Sequence, residues 1–363
     1  MEETHNYNSD LNCQIQLLNT YPISSGIGEY VSSLCKIENT RCLSLIFKKK
    51  AGTRLNYPGE NYYSFFPSIN EKLEFLFNAY FQKLFFIHLW KNVSQNDKNI
   101  IHYTDPSIFP FYKNELSIVT IHDLFAYYPN ITNGGPFNAR YRYVIKNLEK
   151  FKEFSNIIAV SEKVKNDLIR NGWSTKITVI PESISGEFKY LNNSIEIRKK
   201  LKLPIDKYLV LSVSTDTPRK NLITVNKIME VLGDDFALVR VGSRVGKSIS
   251  FEHVKDEKTM NLLYNACDVF LFPTLDEGFG RPVVEAMAAG LPVILSDIEI
   301  MHEIAGNAAK FVSNNDVELY KEAIFFSIDH AKEIREYGMN QAKYFSFDNF
   351  KDKMVKYYKS IQK

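Results

Sequence analysis

The sequence contains few cysteines, and they form no pattern that would predict a metal site or a disulfide framework. Only four occur in 363 residues. None belongs to a C-x-x-C pair, and none has histidines at zinc-ligand spacing. We therefore expect buried, reduced thiols at all four positions, which are Cys13, Cys35, Cys42 and Cys267.

An excess of charge of one sign is also lacking. The chain has 45 basic and 42 acidic residues, so its formal net charge is only +3. This balance gives no basic footprint of the kind that nucleic-acid-binding proteins show, and we predict no nucleic-acid partner. A hydrophobic content of 45% excludes a disordered chain, and the length is sufficient for two globular domains with separate cores.

Long apolar runs are absent as well. No window reaches the roughly 18 uninterrupted apolar residues that predict a membrane-spanning helix. The N-terminus is polar and acidic, whereas a secretory signal would be basic and then apolar, so the sequence predicts a cytoplasmic protein. Residues 73–90 are the most apolar stretch, and we interpret them as a core-packed helix. The alternative is a helix that rests on a membrane surface or holds an apolar acceptor.

Short β-branched runs alternate with amphipathic stretches along the chain, which is typical of an α/β fold with parallel sheets covered by helices. The candidate strands are residues 14–20, 42–47, 99–104, 116–123, 156–161 and 176–181, followed by 208–215, 236–242, 268–274, 291–297 and 308–314. A polar, irregular segment interrupts the pattern between the two sets. We therefore predict a first domain at 1–185 and a second at 186–340.

Two carboxylates are conspicuous in TLDEGFGRPVVEAMAAGLPVILS, residues 274–296. Glu277 precedes an apolar helix and Glu285 lies inside it, with seven residues between them. Pro282 and Gly290 mark the ends of this helix and place Glu285 within about its first turn, where anions are attracted. A loop carboxylate and a helix-dipole contact are the alternatives. The dipole contributes only about 0.3–1 kcal/mol, whereas an unpaired buried carboxylate costs more, so a bound hydroxyl group explains Glu285 better.

A dibasic pair follows the candidate strand at 208–215. Arg219 and Lys220 lie between this strand and an amphipathic helix. Arg binds two oxygens at once and Lys adds a point charge, so the pair suits a diphosphate at a helix N-terminus. The alternative is a solvated turn, and the glutamate pair tips the balance towards a binding site. Gly278 and Gly280 would let backbone amides approach sugar or phosphate oxygens closely.

Several stretches together resemble the retaining glycosyltransferases of family 4. These are STDTPRKNL, LLYNACDVFLFPTLDEGFGRPVVEAMAAGLPVILSD and HEIAGNAAKFV, with TIHDLF, AVSEKVKNDL and ITVIPESI in the first half. The resemblance implies the GT-B fold, in which two facing Rossmann-like domains with doubly wound parallel sheets enclose a cleft. It also implies that residues 341–363 contain a last helix that returns to the first domain.

The resemblance assigns roles to individual residues. The implied catalytic residues are His122, Arg219, Lys220 and Glu277. Arg219 and Lys220 would bind the donor diphosphate, and Glu285 would accept hydrogen bonds from the nucleotide ribose. His122 would approach the sugar from across the cleft, with a satisfied core histidine as the alternative. Glu277 would hold the transferred sugar together with the backbone of Gly278, Phe279 and Gly280.

The family's glycine-rich loop after the first strand corresponds to YPISSGIGEY. Gly26 and Gly28 would turn backbone amides towards the donor phosphates, although Val31 stands where a dinucleotide fingerprint has its third glycine. A second departure follows ITVIP, where the family often has Asn-Gly and this chain has Glu182 and Ser183. These departures leave open the donor contact of the first loop and the role of the second turn.

The implied activity is transfer of a hexose, with retention, from a UDP-, GDP- or ADP-sugar to a hydroxyl of a glycan, lipid-linked or other acceptor. The implied mechanism is front-face attack without a metal ion or other cofactor, and the sequence has no Asp-x-Asp cluster. The alternatives are a GT-B nucleotide-sugar epimerase and a non-catalytic nucleotide-sugar sensor. Residues 73–90 and the basic C-terminus leave open a peripheral contact with the membrane's cytoplasmic face.

Overall fold

The computed structural model describes residues 13–19, 25–45, 62–63, 99–128, 139–173, 176–252, 254, 256–313 and 316–362. The strands are β1 (Ile15–Asn19), β2 (Thr40–Leu45), β3 (Tyr62–Tyr63), β4 (Ile100–Tyr103), β5 (Ser117–Ile121), β6 (Asn156–Ala159), β7 (Ile177–Val179), β8 (Tyr208–Val213), β9 (Phe236–Val241), β10 (Ile249–Phe251), β11 (Val269–Phe272), β12 (Val293–Ser296) and β13 (Ala309–Val312). The helices are α1 (Gly26–Leu34), α2 (Ala139–Phe151), α3 (Glu162–Arg170), α4 (Ser194–Leu201), α5 (Leu222–Leu232), α6 (Glu257–Ala266), α7 (Arg281–Ala288), α8 (Glu299–Ala305), α9 (Val317–Asp329), α10 (Ala331–Ala342) and α11 (Phe347–Ile361).

The described strands form two sheets in which every pair is parallel. The first has the order β3-β2-β1-β4-β5-β6-β7, and the second has the order β10-β9-β8-β11-β12-β13. Strand order reverses between β1 and β4 and again between β8 and β11, so both sheets are doubly wound. The predicted α/β class is confirmed. The short edge strands β3 and β10 were not among the predicted strands.

The central strands are buried on both faces, which explains why their sequences read as continuous apolar runs. Every residue of β1, β4, β5, β11 and β12 is buried. The sheets occupy residues 15–179 and 208–312. Between them, α4 is attached to the second sheet because the Arg198 guanidinium donates to the Asp268 carboxylate at 2.7 Å and to the Ala266 carbonyl at 2.7 Å.

The last helix packs against the first sheet. Phe350, Met354 and Tyr358 of α11 are buried in one cluster with Ile15 and Leu17 of β1. The chain therefore crosses from the second domain back to the first at its C-terminal end. The domain boundaries at 185 and 340 themselves stay a prediction.

Buried hydrogen bonds join this helix to the centre of the first sheet. The Tyr358 hydroxyl lies 2.8 Å from Nδ1 of His102 in β4, and His102 Nε2 lies 2.7 Å from the Thr120 hydroxyl of β5. Thr120 in turn contacts the hydroxyl of Tyr30 in α1 at 2.9 Å. Burial lowers the pKa of His102 to about 3, so this imidazole is neutral.

Replacing Tyr358 with phenylalanine keeps the ring and removes the hydroxyl. We expect the free energy of unfolding to fall by about 1–3 kcal/mol because His102 Nδ1 stays buried without a partner. Denaturant-induced unfolding of both proteins measures the difference. Tyr337→Phe, at a tyrosine that is 55% exposed, is the matched control and should change little. Equal stability of the wild type and Tyr358→Phe would contradict this role.

The predicted helix at 73–90 and the predicted burial of all four cysteines are not both confirmed. The predicted helix at 73–90 lies outside the described residues. Along the described ranges, no helix combines the length and apolarity needed to cross a bilayer. All four cysteines are free thiols, but only Cys42 and Cys267 are buried, whereas Cys13 and Cys35 are half-buried.

Candidate functional site

The candidate site lies where the carboxyl ends of the two sheets face each other. His122 follows β5 and Glu182 follows β7 in the first domain, while Lys220 follows β8 and Glu277 follows β11 in the second. Ligands of open α/β sheets bind at such strand ends. The two sides are in contact, since the Ser161 hydroxyl donates to the Gly278 carbonyl at 2.7 Å.

Glu277 is the centre of the second domain's side of the cleft. Its carboxylate pairs with the Arg219 guanidinium at 2.7 Å, with the Lys220 ammonium, and with the Thr274 hydroxyl at 3.0 Å. Burial raises the pKa of Glu277, but the combined effect of the two cations is larger and lowers it. The net shift is therefore downward, and the group is a carboxylate. The two predicted cations and this glutamate therefore form one buried cluster.

The local fold explains why both cations face inward. After β8 the chain makes a single 3-10 turn at Pro218–Lys220, and Asn221 then adopts a left-handed conformation with φ of 52°. The guanidinium of Arg219 lies 4.5 Å from the ring centre of Phe125, and the ammonium of Lys220 lies 4.8 Å from that of Phe272. Lys220 is only 9% exposed, so the alternative of a solvated turn is wrong.

Glu285 is the fifth residue of α7 and so lies near the start of the helix, in agreement with the predicted position within about the first turn. Its partners come from the protein itself. The Tyr264 hydroxyl donates to the carboxylate at 2.9 Å, and the Arg281 guanidinium lies 3.8 Å away. Burial raises the pKa of Glu285, and Arg281 and Tyr264 only partly offset this effect. A hydroxyl of the protein, that of Tyr264, thus meets Glu285, and the contact with a bound hydroxyl group stays a prediction.

Arg281 connects the two domains and lines an adjoining cavity of about 580 Å³. Its guanidinium pairs with Glu29 of α1 at 2.6 Å and donates to the Ser183 carbonyl at 2.7 Å. Glu29, Arg281 and Glu285 all line this cavity. Burial raises the pKa of Glu29 to about 7 although Arg281 opposes the shift. Arg281 was not among the predicted site residues, although its position four residues before Glu285 on a helix was a usable signal.

His122 is buried and uses both ring nitrogens within the first domain. Nδ1 lies 2.8 Å from Oε1 of Glu182, and Nε2 lies 2.9 Å from the carbonyl oxygen of Thr104. Burial lowers the pKa of His122, but Glu182, the Thr104 carbonyl and Asp105 together raise it more, so the net shift is upward. Glu182 was missed as a partner of His122. Its place directly after a strand, at the carboxyl edge of the sheet, was the available signal.

The segment from Gly278 to Gly280 has three different surroundings. A side chain at Gly278 would overlap the backbone carbonyl oxygen of His122, so only glycine lets the domains approach this closely. The Phe279 ring is buried, and its centre lies 5.5 Å from the centre of the Phe345 ring. Gly280 precedes α7 with φ of 102°, a conformation that favours glycine. Their contact with a sugar stays a prediction.

Gly26 and Gly28 lie in the first turn of α1, so the loop expected there is wrong at these residues. The backbone N–H of Gly28 donates to the hydroxyl of Ser25 at 3.0 Å and is therefore used to cap the helix. Gly26 faces the side chain of Arg281 across the cleft. The helix forms because Ser25 supplies the cap.

A second contact between the domains lies at the N-terminus of α3. The carboxylate of Glu303 in α8 accepts hydrogen bonds from the backbone N–H groups of Glu162 and Lys163, at 2.7 and 3.1 Å. The Lys163 ammonium also pairs with Asp276 at 2.5 Å. An acidic side chain at a helix N-terminus is stabilising, and here it comes from the other domain.

Within the described ranges, no group of three or more His, Cys, Asp or Glu side chains is placed to hold a metal ion. The charged groups of the cleft are instead arranged around cations from the protein. Metal independence of the reaction stays a prediction.

Known proteins similar to this chain include two named mannosyltransferases. The O-antigen chain mannosyltransferase RfbU of Salmonella typhimurium is 29% identical over 273 residues, which are 70% of this chain and 72% of that protein. The O-antigen chain mannosyltransferase B of Escherichia coli is 27% identical over 292 residues, 71% of this chain and 74% of that protein.

Solved structures share the fold across nearly the whole chain. Sucrose-phosphate synthase from Thermosynechococcus elongatus superimposes with a TM-score of 0.76 at 16% identity, covering 96% of this chain and 98% of that one. WaaG, a glycosyltransferase involved in lipopolysaccharide biosynthesis, gives 0.70 at 16% identity, covering 94% and 98%. HepE of Anabaena in complex with UDP and glucose gives 0.72 at 15% identity, covering 96% and 100%.

Two family models match successive parts of the chain. Residues 57–187 match Glycosyltransferase Family 4, and residues 193–344 match Glycosyl transferases group 1. The two matches correspond to the two domains that the sheets define. With the doubly wound sheets and the facing strand ends, they agree with the resemblance that the sequence motifs carry. The chain belongs to the family 4 glycosyltransferases of the GT-B fold.

Proposed function

We propose that this glycosyltransferase moves a hexose from a nucleotide diphosphate sugar to a hydroxyl of a glycan or lipid-linked acceptor, with retention and without a metal ion. The cluster of Arg219, Lys220 and Glu277 is the observation that carries the proposal. It contains two cations and one carboxylate, and therefore one net positive charge, buried at the carboxyl end of the second sheet. An anionic diphosphate would complete its charge balance.

The reaction would break the bond between the anomeric carbon and the donor phosphate oxygen through an oxocarbenium-like transition state. Negative charge then develops on the leaving diphosphate, next to Arg219 and Lys220, which would stabilise it without reorganisation. The acceptor hydroxyl would attack on the face that the phosphate leaves. This direct attack would give retention without a carboxylate nucleophile. The hydroxyl's proton would pass to the departing phosphate oxygen, which would serve as the base.

The cavity beside Arg281 suits the nucleoside part of the donor. It holds about 580 Å³ and is lined by Glu285, the residue assigned to the ribose. A ribose hydroxyl would then share the Glu285 carboxylate with Tyr264. The names of the two relatives support mannose as the hexose and a glycan chain as the acceptor. A peripheral position at the membrane's cytoplasmic face would suit a lipid-linked acceptor.

Thermal unfolding in UDP, GDP and ADP tests the donor site. A nucleotide at about 100 times its dissociation constant should stabilise the protein by about 2.7 kcal/mol, so we expect one of the three to raise Tm by several degrees. The nucleotide that does so identifies the donor, and the mannose derivative of that donor is then incubated with acceptor. A product whose anomeric configuration matches the donor supports retention. No shift with any nucleotide would contradict the donor site, and conversion of the donor without acceptor would identify an epimerase.

A further inference from the structure

Glu182 is a buried carboxylate of the cleft at one of the positions where the sequence departs from the family pattern. It is 5% exposed and lies just beyond β7. Oε1 is 2.8 Å from His122 Nδ1. Oε2 is buried without a hydrogen bond, and the Arg281 guanidinium of the other domain lies 3.6 Å from it.

The second nitrogen of His122 fixes how this pair shares its protons. The Thr104 carbonyl can only accept, so Nε2 must carry a hydrogen. A neutral imidazole with its hydrogen on Nε2 would turn the lone pair of Nδ1 towards the carboxylate of Glu182. A proton between Nδ1 and Oε1 removes this repulsion, and the net upward shift of the His122 pKa favours the protonated imidazole. The proton therefore resides on the imidazole, and His122 is an imidazolium.

We propose that Glu182 is a positioning residue for glycosyl transfer, which holds His122, the residue whose backbone carbonyl contacts Gly278, in one orientation and in its cationic form. This inference rests on the proposed function. Because both N–H groups of His122 are used by the protein, the imidazolium has no hydrogen bond left for the sugar. Its positive charge is held in place by the Glu182 carboxylate on the first domain's side of the cleft, as a preorganised ion pair.

The other groups around His122 are either carboxylates that interact with its charge or neutral rings. Asp105, which follows β4, raises the pKa of His122, and the adjacent Asp123 carboxylate is within electrostatic reach. Tyr30 of α1 presents a neutral ring with its centre 4.8 Å from that of His122. His102 of β4 is neutral. Among these described neighbours, Glu182 is thus the one whose carboxylate is hydrogen-bonded to the His122 ring.

The sign of the pH dependence follows from the upward shift of the His122 pKa. The ion pair contributes its full stability at pH values below the pKa of an unfolded histidine. This contribution is lost as the pH rises through the higher pKa of the folded protein. The same rise in pH should remove the imidazolium and lower kcat/KM.

Glu182→Gln tests the proposal with a side chain of nearly the same shape. We expect NMR titration of the full-length protein to show a His122 pKa about one pH unit or more below that of the wild type. The decline of kcat/KM at high pH should move to lower pH by a similar amount. Glu187→Gln, at an exposed glutamate of the same segment, is the matched control and should change neither.

The His122 pKa and the pH profile of kcat/KM together decide the proposal. An unchanged His122 pKa in Glu182→Gln would overturn the proposal, and so would a lowered pKa with an unchanged pH profile of kcat/KM. If Glu182→Gln does not fold, Glu182→Asp keeps the charge but shortens the reach, and an unaltered His122 pKa and pH profile there would overturn the proposal equally. If the wild type transfers no donor sugar, the proposed function fails, and the positioning role in transfer fails with it. The NMR titration still decides whether the ion pair exists.

Discussion

Replacing Lys220 with alanine is expected to lower kcat by about 10²–10³-fold, which is the usual effect of removing one preorganised group that stabilises transition-state charge. The ammonium is buried against Glu277 and lies at the end of β8, where the leaving diphosphate would develop its charge. Removing it also leaves the cluster with one cation and one carboxylate. The remaining charge is zero, so affinity for the nucleotide should fall as well.

Steady-state kinetics and thermal unfolding with the nucleotide measure both effects. Lys227→Ala, at an exposed lysine of α5, is the matched control and should keep the activity and the nucleotide-induced rise in Tm. Unfolding without nucleotide shows whether Lys220→Ala is folded. Wild-type turnover in a folded Lys220→Ala protein would refute the assignment of this lysine to the donor.

Gly278→Ala is expected to lower kcat/KM by about 100-fold, the loss associated with a displacement of reacting groups by about 1 Å. The added methyl group would overlap the carbonyl oxygen of His122, a backbone atom that cannot rotate away. The two sides of the cleft would therefore have to separate. Each domain keeps its own core, so we expect folded protein with a misaligned site.

Kinetics give the loss of activity, and small-angle scattering reports the separation of the domains. Gly338→Ala is the matched control because a methyl group there would meet Met287 at the ordinary contact distance of 3.6 Å. Alanine is also the better residue in the middle of α10. Full activity of Gly278→Ala would mean that the approach of Gly278 to His122 is not needed for transfer.

Features that depend on neighbouring residues along the chain were predictable. Alternating apolar runs gave the α/β class, and the 3-10 turn with Arg219 and Lys220 follows a predicted strand. Pro282 near the start of α7 and Gly290 just beyond it are helix-end signals that the structure bears out. These signals act within a few residues, so one sequence is enough to detect them.

Features that depend on contacts between residues far apart in the chain were not predictable. Arg281 meets Glu29 and Ser183, and His122 meets Glu182, across separations of 252, 98 and 60 positions in the chain. No local pattern encodes such distances.

The cap that Glu303 provides for α3 has a consequence for recombination between relatives. The helix that begins at Glu162 finds the acceptor for its first backbone N–H groups in the other half of the chain. A chimaera that takes its first half from this protein and its second half from a relative must therefore bring an acidic residue to the place of Glu303. The two halves are not interchangeable modules, because one of them completes the secondary structure of the other.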